Sequence, residues 1–178
     1  MRRSFLPVAL IVVFGFSASA GLAQKRGPST ATERARAVEI ATLLENDPLN
    51  KNAKPLTREL MIWLIEIPDI TVTICTGMLG DYSKIKGDYA GTITTQLSFA
   101  ETRFVIEHPE EAKDEYRVYL AGVESALKTY QNIKKAKPRV RLEPLEELLA
   151  VQQAGQLPEF VRNAMPGCKH NSSKTFST

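Results

Sequence analysis

Two acidic side chains, Glu66 and Asp69, have the strongest case for chemistry, because their neighbours along the chain are almost all apolar. A buried carboxylate must be paired or hydrogen-bonded, or else it changes its protonation state. One interpretation is structural: Asp69 caps a helix, and an arginine such as Arg58 or Arg103 forms a salt bridge with these acids. The other interpretation is functional, with both acids as polar anchors inside a ligand pocket.

Three aromatic residues extend the pocket hypothesis. Trp63 precedes Glu66 in the same apolar stretch, and Phe99 and Phe104 fall on one predicted helix further along the chain. Ligand pockets are mostly apolar, with a few polar groups that orient the ligand. We therefore predict that a small apolar ligand would contact Trp63, Glu66, Asp69, Phe99 and Phe104.

The two cysteines, Cys75 and Cys168, are expected to form a disulfide, because an even cysteine count in an exported chain favours pairing. The alternative is a buried Cys75 thiol and an exposed Cys168 thiol. A catalytic pair of Cys75 with His108 is not expected, since apolar surroundings keep a thiol protonated. A metal site is not expected either: Cys168 and His170 offer two soft ligands, whereas zinc usually takes three or four.

No sequence motif indicates a cofactor. Residues 77–80, Gly-Met-Leu-Gly, lack the third glycine of a dinucleotide loop and the Gly-Lys-Ser/Thr of a phosphate loop. Neither the Gly-x-Ser-x-Gly pattern of hydrolases nor the His-Glu-x-x-His pattern of zinc proteases occurs. The sequence therefore predicts no cofactor.

The amino terminus has the composition of a cleavable signal peptide. Two arginines precede an apolar run that is too short to cross a bilayer, and a small-residue stretch follows it up to Ala23. We predict that residues 1–23 are removed before Gln24, with a cut before Gly21 or an uncleaved anchor as alternatives. The protein is then exported, periplasmic or secreted, by the general route or the twin-arginine route.

Charge and hydropathy exclude two classes of partner. The predicted signal peptide holds two of the 23 basic residues and none of the 20 acidic ones, so the remaining chain is nearly neutral. A nearly neutral chain has no strong field to attract nucleic acid. The apolar block over residues 60–79 is not expected to span a membrane, because Glu66, Pro68 and Asp69 lie at its centre.

Helical periodicity predicts the architecture. Residues 30–168 are predicted to form one all-α domain, an irregular or orthogonal bundle of about five to seven helices. A capping box from Thr30 to Glu33 starts the first helix. Residues 24–29 are expected to be a flexible segment, and residues 169–178 a disordered tail. The predicted helices lie near residues 30–46, 56–67, 90–108, 109–137, 143–155 and 157–166.

The segment over residues 70–79 permits two interpretations. Ile70, Val72 and Ile74 alternate with polar residues, as in a strand, but the same stretch also forms helical stripes. We favour a helix with Asp69 as its N-cap. The alternative is an α+β domain with a small two-stranded element near residues 70–75 and 92–96.

Several stretches resemble a family of small exported helical proteins of bacteria that has no assigned function. They are residues 63–66 running on to 74–76, residues 95–99 and residues 104–109, and they are joined by residues 121–124 and Cys168. The resemblance covers most of the chain after the predicted signal peptide. It implies export and brings no functional residues.

Three functions remain open on this basis. The favoured prediction is a non-enzymatic helical interaction protein, envelope or secreted, that acts through contacts with an envelope protein. The first alternative is a carrier of a small apolar ligand. The second alternative is a carboxylate-dependent enzyme in which Glu66 or Asp69 acts as an acid or base.

Overall fold

Six α-helices and no strand make up the part of the chain described by the computed structural model, namely the backbone of residues 26–171 and the side chains of residues 26–168. The predicted all-α class is therefore confirmed. The predicted signal peptide lies outside the described residues. The helices are α1 (Ala31–Asn46), α2 (Ala53–Glu66), α3 (Ala90–Glu107), α4 (Glu115–Ala136), α5 (Glu143–Gln153) and α6 (Leu157–Asn171).

Local sequence signals set several helix ends where the sequence predicts them. At the start of α1, the backbone N–H of Glu33 donates to the Thr30 hydroxyl at 3.2 Å, and the Thr30 N–H donates to the Glu33 carboxylate at 2.7 Å. This is the predicted capping box, which satisfies two N–H groups that a helix start leaves free. At the end of α5, Gly155 takes a φ of +73°, a conformation that glycine adopts without strain.

The core has two parts, joined by α3. The larger part surrounds α4, whose Val123, Leu127 and Tyr130 are fully buried against α5, α6 and a short 3₁₀ helix, Thr76–Leu79. The smaller part lies between α1, α2 and α3, where Ile40 and Phe99 are buried. The helix α3 contributes to both parts and is therefore the element that fixes their relative positions.

The predicted helix over residues 70–79 is wrong, and so is its strand alternative. Residues 70–75 have no regular secondary structure, and only Thr76–Leu79 forms a 3₁₀ turn. The run from Ile70 to Ile74 is β-branched at every position, which disfavours a helix. The proposed strand partner near residues 92–96 lies within α3, so the segment has no strand to pair with. Asp69 is consequently not a helix N-cap.

Two further helix ends differ from the prediction. The helix α4 starts at Glu115 rather than at Pro109, because Asp114 caps it by accepting from the backbone N–H of Arg117 at 3.2 Å. The helix α6 continues through Pro166 to Asn171, although proline removes one backbone donor. The first three residues of the predicted tail are therefore helical.

A disulfide between Cys75 and Cys168 confirms the predicted pairing, with 5.4 Å between the two Cα atoms. It joins the irregular segment before the 3₁₀ turn to α6, which holds the last turns of α6 against the larger core. Among the described residues, every helix is too short or too polar to cross a membrane.

Candidate functional site

A cleft of about 650 Å³ lies between the end of α1, most of the length of α2 and the part of α3 from Gly91 to Phe99. Its volume falls within the range of about 300–1,000 Å³ that is usual for ligand pockets. The residues that line it are Leu44, Pro48, Leu49, Asn50, Ala53, Lys54, Thr57, Arg58, Met61, Ile62, Asp88, Tyr89, Gly91, Thr92, Thr95, Gln96 and Phe99.

The floor of the cleft is apolar and fixed. Leu44 and Phe99 are both buried there, and Met61 packs against the same core cluster. Gln96 is also buried, and its amide donates to the backbone carbonyl of Ala41 and to the Ser125 hydroxyl, each at 3.1 Å. Because these bonds hold Gln96 in place, the cleft is a preformed feature of the helix arrangement.

The rim of the cleft carries charge. Lys54 and Arg58 lie one turn apart on α2, and Asp88 lies just before α3. Among the residues whose side chains are described, none of these three charged groups forms an ion pair or a side-chain hydrogen bond. The cleft therefore combines an apolar floor with two unpaired cations and one unpaired carboxylate.

The three predicted aromatic site residues are not brought together. Phe99 lies in the floor of the cleft. Trp63 lines a separate hollow of about 260 Å³ between α1 and α2, where its indole N–H is buried with no acceptor among the described residues. Phe104 lies at the far end of α3, with its ring 4.8 Å from the His108 ring and 5.9 Å from the Arg117 guanidinium carbon.

The two predicted acids lie outside the cleft and hold the segment before α1. Arg26 donates to Glu66 at 2.9 Å. Asp69 accepts from the Ser29 N–H at 2.8 Å, from the Ser29 hydroxyl at 2.7 Å and from Arg34 at 2.8 Å. The Ser29 bonds, followed by the Arg34 bond, lower the pKa of Asp69 to about 2. These contacts give both acids a structural role and lend no support to acid–base catalysis.

A buried ion cluster around Glu45 was not anticipated from the sequence. Glu45 accepts from Lys128 at 2.7 Å, from Arg103 at 2.8 Å and from the Ser125 hydroxyl at 2.5 Å. Burial raises its pKa, but the bonds from Lys128, Ser125 and Arg103 outweigh that effect and lower it. Arg103, a predicted partner of Glu66 and Asp69, thus binds a different acid and ties α3 to the end of α1.

A second acid missed from the sequence is Glu101, in the middle of α3. Its side chain is fully buried, and neither oxygen has a hydrogen-bond partner among the described residues. Burial raises its pKa from the ordinary value of 4.5 to about 9, so the group is uncharged at neutral pH. The signal in the sequence was its position four residues after Leu97, on the buried stripe of α3.

A histidine and two acids gather on the surface after α3. Ligand atoms of His108, Glu110 and Glu111 lie within 4.8 Å of one another. Arg117 already forms an ion pair with Glu111 at 2.8 Å. Since exposed acidic groups often cluster without a metal, we assign no metal site to these residues.

Comparisons with known proteins do not add to this geometry. The chain matches no protein-family model, no curated protein and no solved structure. The resemblance to small exported bacterial proteins therefore stays a prediction. The functional argument rests on the cleft, its apolar floor and the charges at its rim.

Proposed function

We propose that this chain is an exported carrier that holds a small apolar ligand in the cleft between α1, α2 and α3. The observation that carries the proposal is the preformed cleft of about 650 Å³ over Leu44, Met61 and Phe99. Burial of apolar ligand surface there contributes roughly 25 cal/mol for each Å² removed from water. A carrier needs such a cleft and no catalytic group.

Two observations support the exported location. The Cys75–Cys168 disulfide is typical of an oxidising compartment, since thiols in the cytosol are kept reduced. The sequence also begins with the charged, apolar and small-residue pattern of a signal peptide. Intact mass spectrometry of protein expressed in a bacterial periplasm tests this point, with a mass that starts at Gln24 expected.

The carrier proposal is tested by filling the cleft. Gly91 lies in the first turn of α3 and lines the cleft, and a Cβ atom added there meets no other atom within 4 Å. Gly91→Phe therefore places a ring in the cleft without forcing the backbone to move. Gly91→Ala is the matched control, because it also replaces the glycine of this helix turn and leaves the cleft open.

The readout is the fluorescence of N-phenyl-1-naphthylamine, an uncharged dye that brightens in apolar sites. We expect the wild type and Gly91→Ala to bind the dye with similar affinity, and Gly91→Phe to bind it at least about tenfold more weakly. Native mass spectrometry of the periplasmic protein then identifies any ligand that co-purifies. Equal dye binding by all three proteins, or no binding by the wild type, would contradict the proposal.

The interaction-protein hypothesis remains as a second candidate because three isoleucines face solvent. Ile65 is 75% exposed, Ile74 is 55% exposed and Ile62 is 43% exposed. Exposed apolar groups of this size are typical of contact surfaces when they form a patch. The test is crosslinking in the periplasm: a partner that binds the purified wild type and not Ile65→Ser would support this candidate.

A further inference from the structure

We propose that the ligand of the cleft is a single-chain amphiphile with an anionic headgroup, a carboxylate or a phosphate. Its apolar chain lies on the floor over Leu44 and Phe99, and its headgroup binds between Lys54 and Arg58. This inference rests on the proposed carrier function and names the class of ligand for the same site.

The two cations at the rim of the cleft are neighbours on the surface of α2. Lys54 and Arg58 are four residues apart on α2, so their side chains lie on one face of the helix, and both line the cleft. Like charges at this spacing repel each other, and an anion bound between them would remove that repulsion. An arginine fork also suits the oxygens of a carboxylate or phosphate, since it can donate two parallel hydrogen bonds.

Several other arginines of this protein are already bound to carboxylates. Arg34 binds Asp69, Arg36 binds Glu59, and Arg103 binds Glu45. Arg58 is an exception, since it has no ion pair among the residues whose side chains are described. Arg139 and Arg162 likewise have no ion pair among these residues, but neither lines the cleft, so Arg58 is the arginine of the lining that is left without a carboxylate.

The lining of the cleft holds more basic than acidic side chains. Among the described residues that line it, Asp88 is the only acid. The first turn of α2, next to Lys54, holds no acidic residue, and the Asn52 side chain does not cap it. Two cations against one carboxylate leave the lining with a net positive charge. An anionic headgroup is complementary to this lining, and a cationic one is not.

The experiment compares three twelve-carbon probes: dodecanoate and dodecyl phosphate below their micelle concentrations, and dodecanol below its solubility limit in water. They compete with N-phenyl-1-naphthylamine for the full chain after export. We expect both anions to bind about tenfold more tightly than dodecanol, the size expected for a charge-assisted contact. This preference for the anions should shrink in about 1 M sodium chloride, where the Debye length is only about 3 Å and charge interactions are strongly screened. The tighter of the two anions identifies the headgroup.

Variants of the lining residues should change the preference for the anionic probe in opposite directions. Lys54→Gln and Arg58→Gln should each bring the ratio of dodecanol to dodecanoate dissociation constants several-fold closer to one. Asp88→Asn should raise that ratio, because it removes from the lining a negative charge that repels the dodecanoate headgroup. Lys51→Gln is the matched control: this exposed lysine in the loop before α2 does not line the cleft, and its removal should leave the ratio unchanged.

The outcomes separate this inference from the carrier proposal. If dodecanol binds as tightly as dodecanoate and Gly91→Phe still blocks both, the headgroup inference is overturned and the carrier function stands. If neither the dye nor any of the three probes binds, the headgroup inference and the carrier function are both overturned. A preference for the anions that survives in Lys54→Gln and Arg58→Gln also overturns the headgroup site.

Discussion

Glu45 and Glu101 are both buried, yet their surroundings give them opposite charge states. Glu45 is 4% exposed and ionised, because Lys128, Arg103 and a serine hydroxyl all donate to it. Glu101 is 0% exposed and has no donor among the described residues, so burial keeps it protonated. A glutamate that burial keeps protonated, such as Glu101, makes folding stability depend on pH, because the same group ionises freely in the unfolded chain.

The pH dependence of stability is the first prediction at this scale. Glu101 titrates near 4.5 when unfolded and near 9 when folded, so the unfolded chain binds fewer protons between these values. Its stabilising contribution is complete below about pH 4.5 and is lost as the pH rises towards 9. The free energy of unfolding should fall by up to about 1.4 kcal/mol per pH unit in this window.

The measurement is urea denaturation at several values between about pH 5.5 and about pH 7.5, across which the wild type should lose up to about 3 kcal/mol. In Glu101→Gln most of this slope should disappear, because an amide does not titrate. The slope is the readout, since a buried amide also changes the absolute stability. Glu147→Gln removes an exposed glutamate of α5 as the control and should keep the slope. A Glu101→Gln protein that keeps the wild-type slope would contradict an uncharged Glu101.

The close approach of α3 and α4 at Gly122 gives the second prediction. A Cβ atom there would lie 2.9 Å from the Glu101 Cγ and 3.2 Å from the Leu97 Cδ1. Overpacking costs about 1–3 kcal/mol and outweighs the helix-propensity gain of about 1 kcal/mol, so Gly122→Ala should lower the free energy of unfolding by about 1 kcal/mol.

A double-mutant cycle assigns that cost to Glu101. In a Glu101→Ala background the Cγ atom is gone, so Gly122→Ala should become neutral or stabilising. Gly91→Ala, where an added Cβ meets nothing within 4 Å, should be stabilising in either background. The same loss at Gly122 in both backgrounds would show that Glu101 is not the obstacle.

At the scale of elements, the start of α1 is held twice, by its own capping box and by contacts with the loop after α2. Thr30 and Glu33 exchange hydrogen bonds within the first turn. Ser29 and Arg34 bind Asp69, more than thirty residues away in the chain. Because α1 forms one wall of the smaller core, these contacts also position Leu44 in the floor of the cleft.

The capping box gives an element-scale prediction. Thr30→Ala removes the hydroxyl that accepts from the Glu33 N–H and should lower the free energy of unfolding by about 1 kcal/mol. Thr30→Ser keeps the acceptor and serves as the control, with an expected change of a few tenths of a kcal/mol. Chemical denaturation measures both. An equal loss in the two variants would mean that the threonine methyl group matters and the hydrogen bond does not.

Elements with local signals were predictable from the sequence, and elements set by distant contacts were not. The Thr30 capping box and the glycine after α5 act within one turn, so the sequence locates them. The irregular path of residues 70–75 depends on partners far along the chain, above all on the disulfide from Cys75 to Cys168. Hydrophobic periodicity depends only on residues that are close in sequence, and for that reason it favoured a helix over residues 70–79.

The candidate site was predictable only in part, for the same reason. Phe99 was predicted as a ligand contact because ligand pockets are mostly apolar, and it does lie in the cleft. Lys54 and Arg58 have no sequence mark that separates them from other exposed cations. What distinguishes them is that they line the cleft without an ion-pair partner among the described residues, which depends on how α1, α2 and α3 meet. Glu66 and Asp69 looked unusual in an apolar stretch, but the chain places them at the surface, bound to Arg26 and Arg34.

At the scale of the whole molecule, the larger and smaller core parts are stabilised differently. The larger part contains the Cys75–Cys168 bridge, which links residues 93 apart. The smaller part, which includes Leu44 and Phe99 of the cleft floor, has no covalent link of its own among the described residues. Breaking the bridge should therefore lower the stability of the fold as a whole while the cleft of the folded molecules stays formed.

The disulfide prediction has two readouts. Replacing both cysteines by alanine should lower the free energy of unfolding by about 4 kcal/mol, because the bridge restricts a long loop of the unfolded chain. The denaturant slope should rise as the unfolded chain expands. Wild type in dithiothreitol should lose a similar amount, and the double alanine variant should not respond to the reductant. Under mild conditions, where the reduced protein is still folded, dye affinity should match that of the oxidised protein. Lost dye binding by folded, reduced protein would mean instead that the bridge holds the cleft open, and that the cleft depends on both core parts.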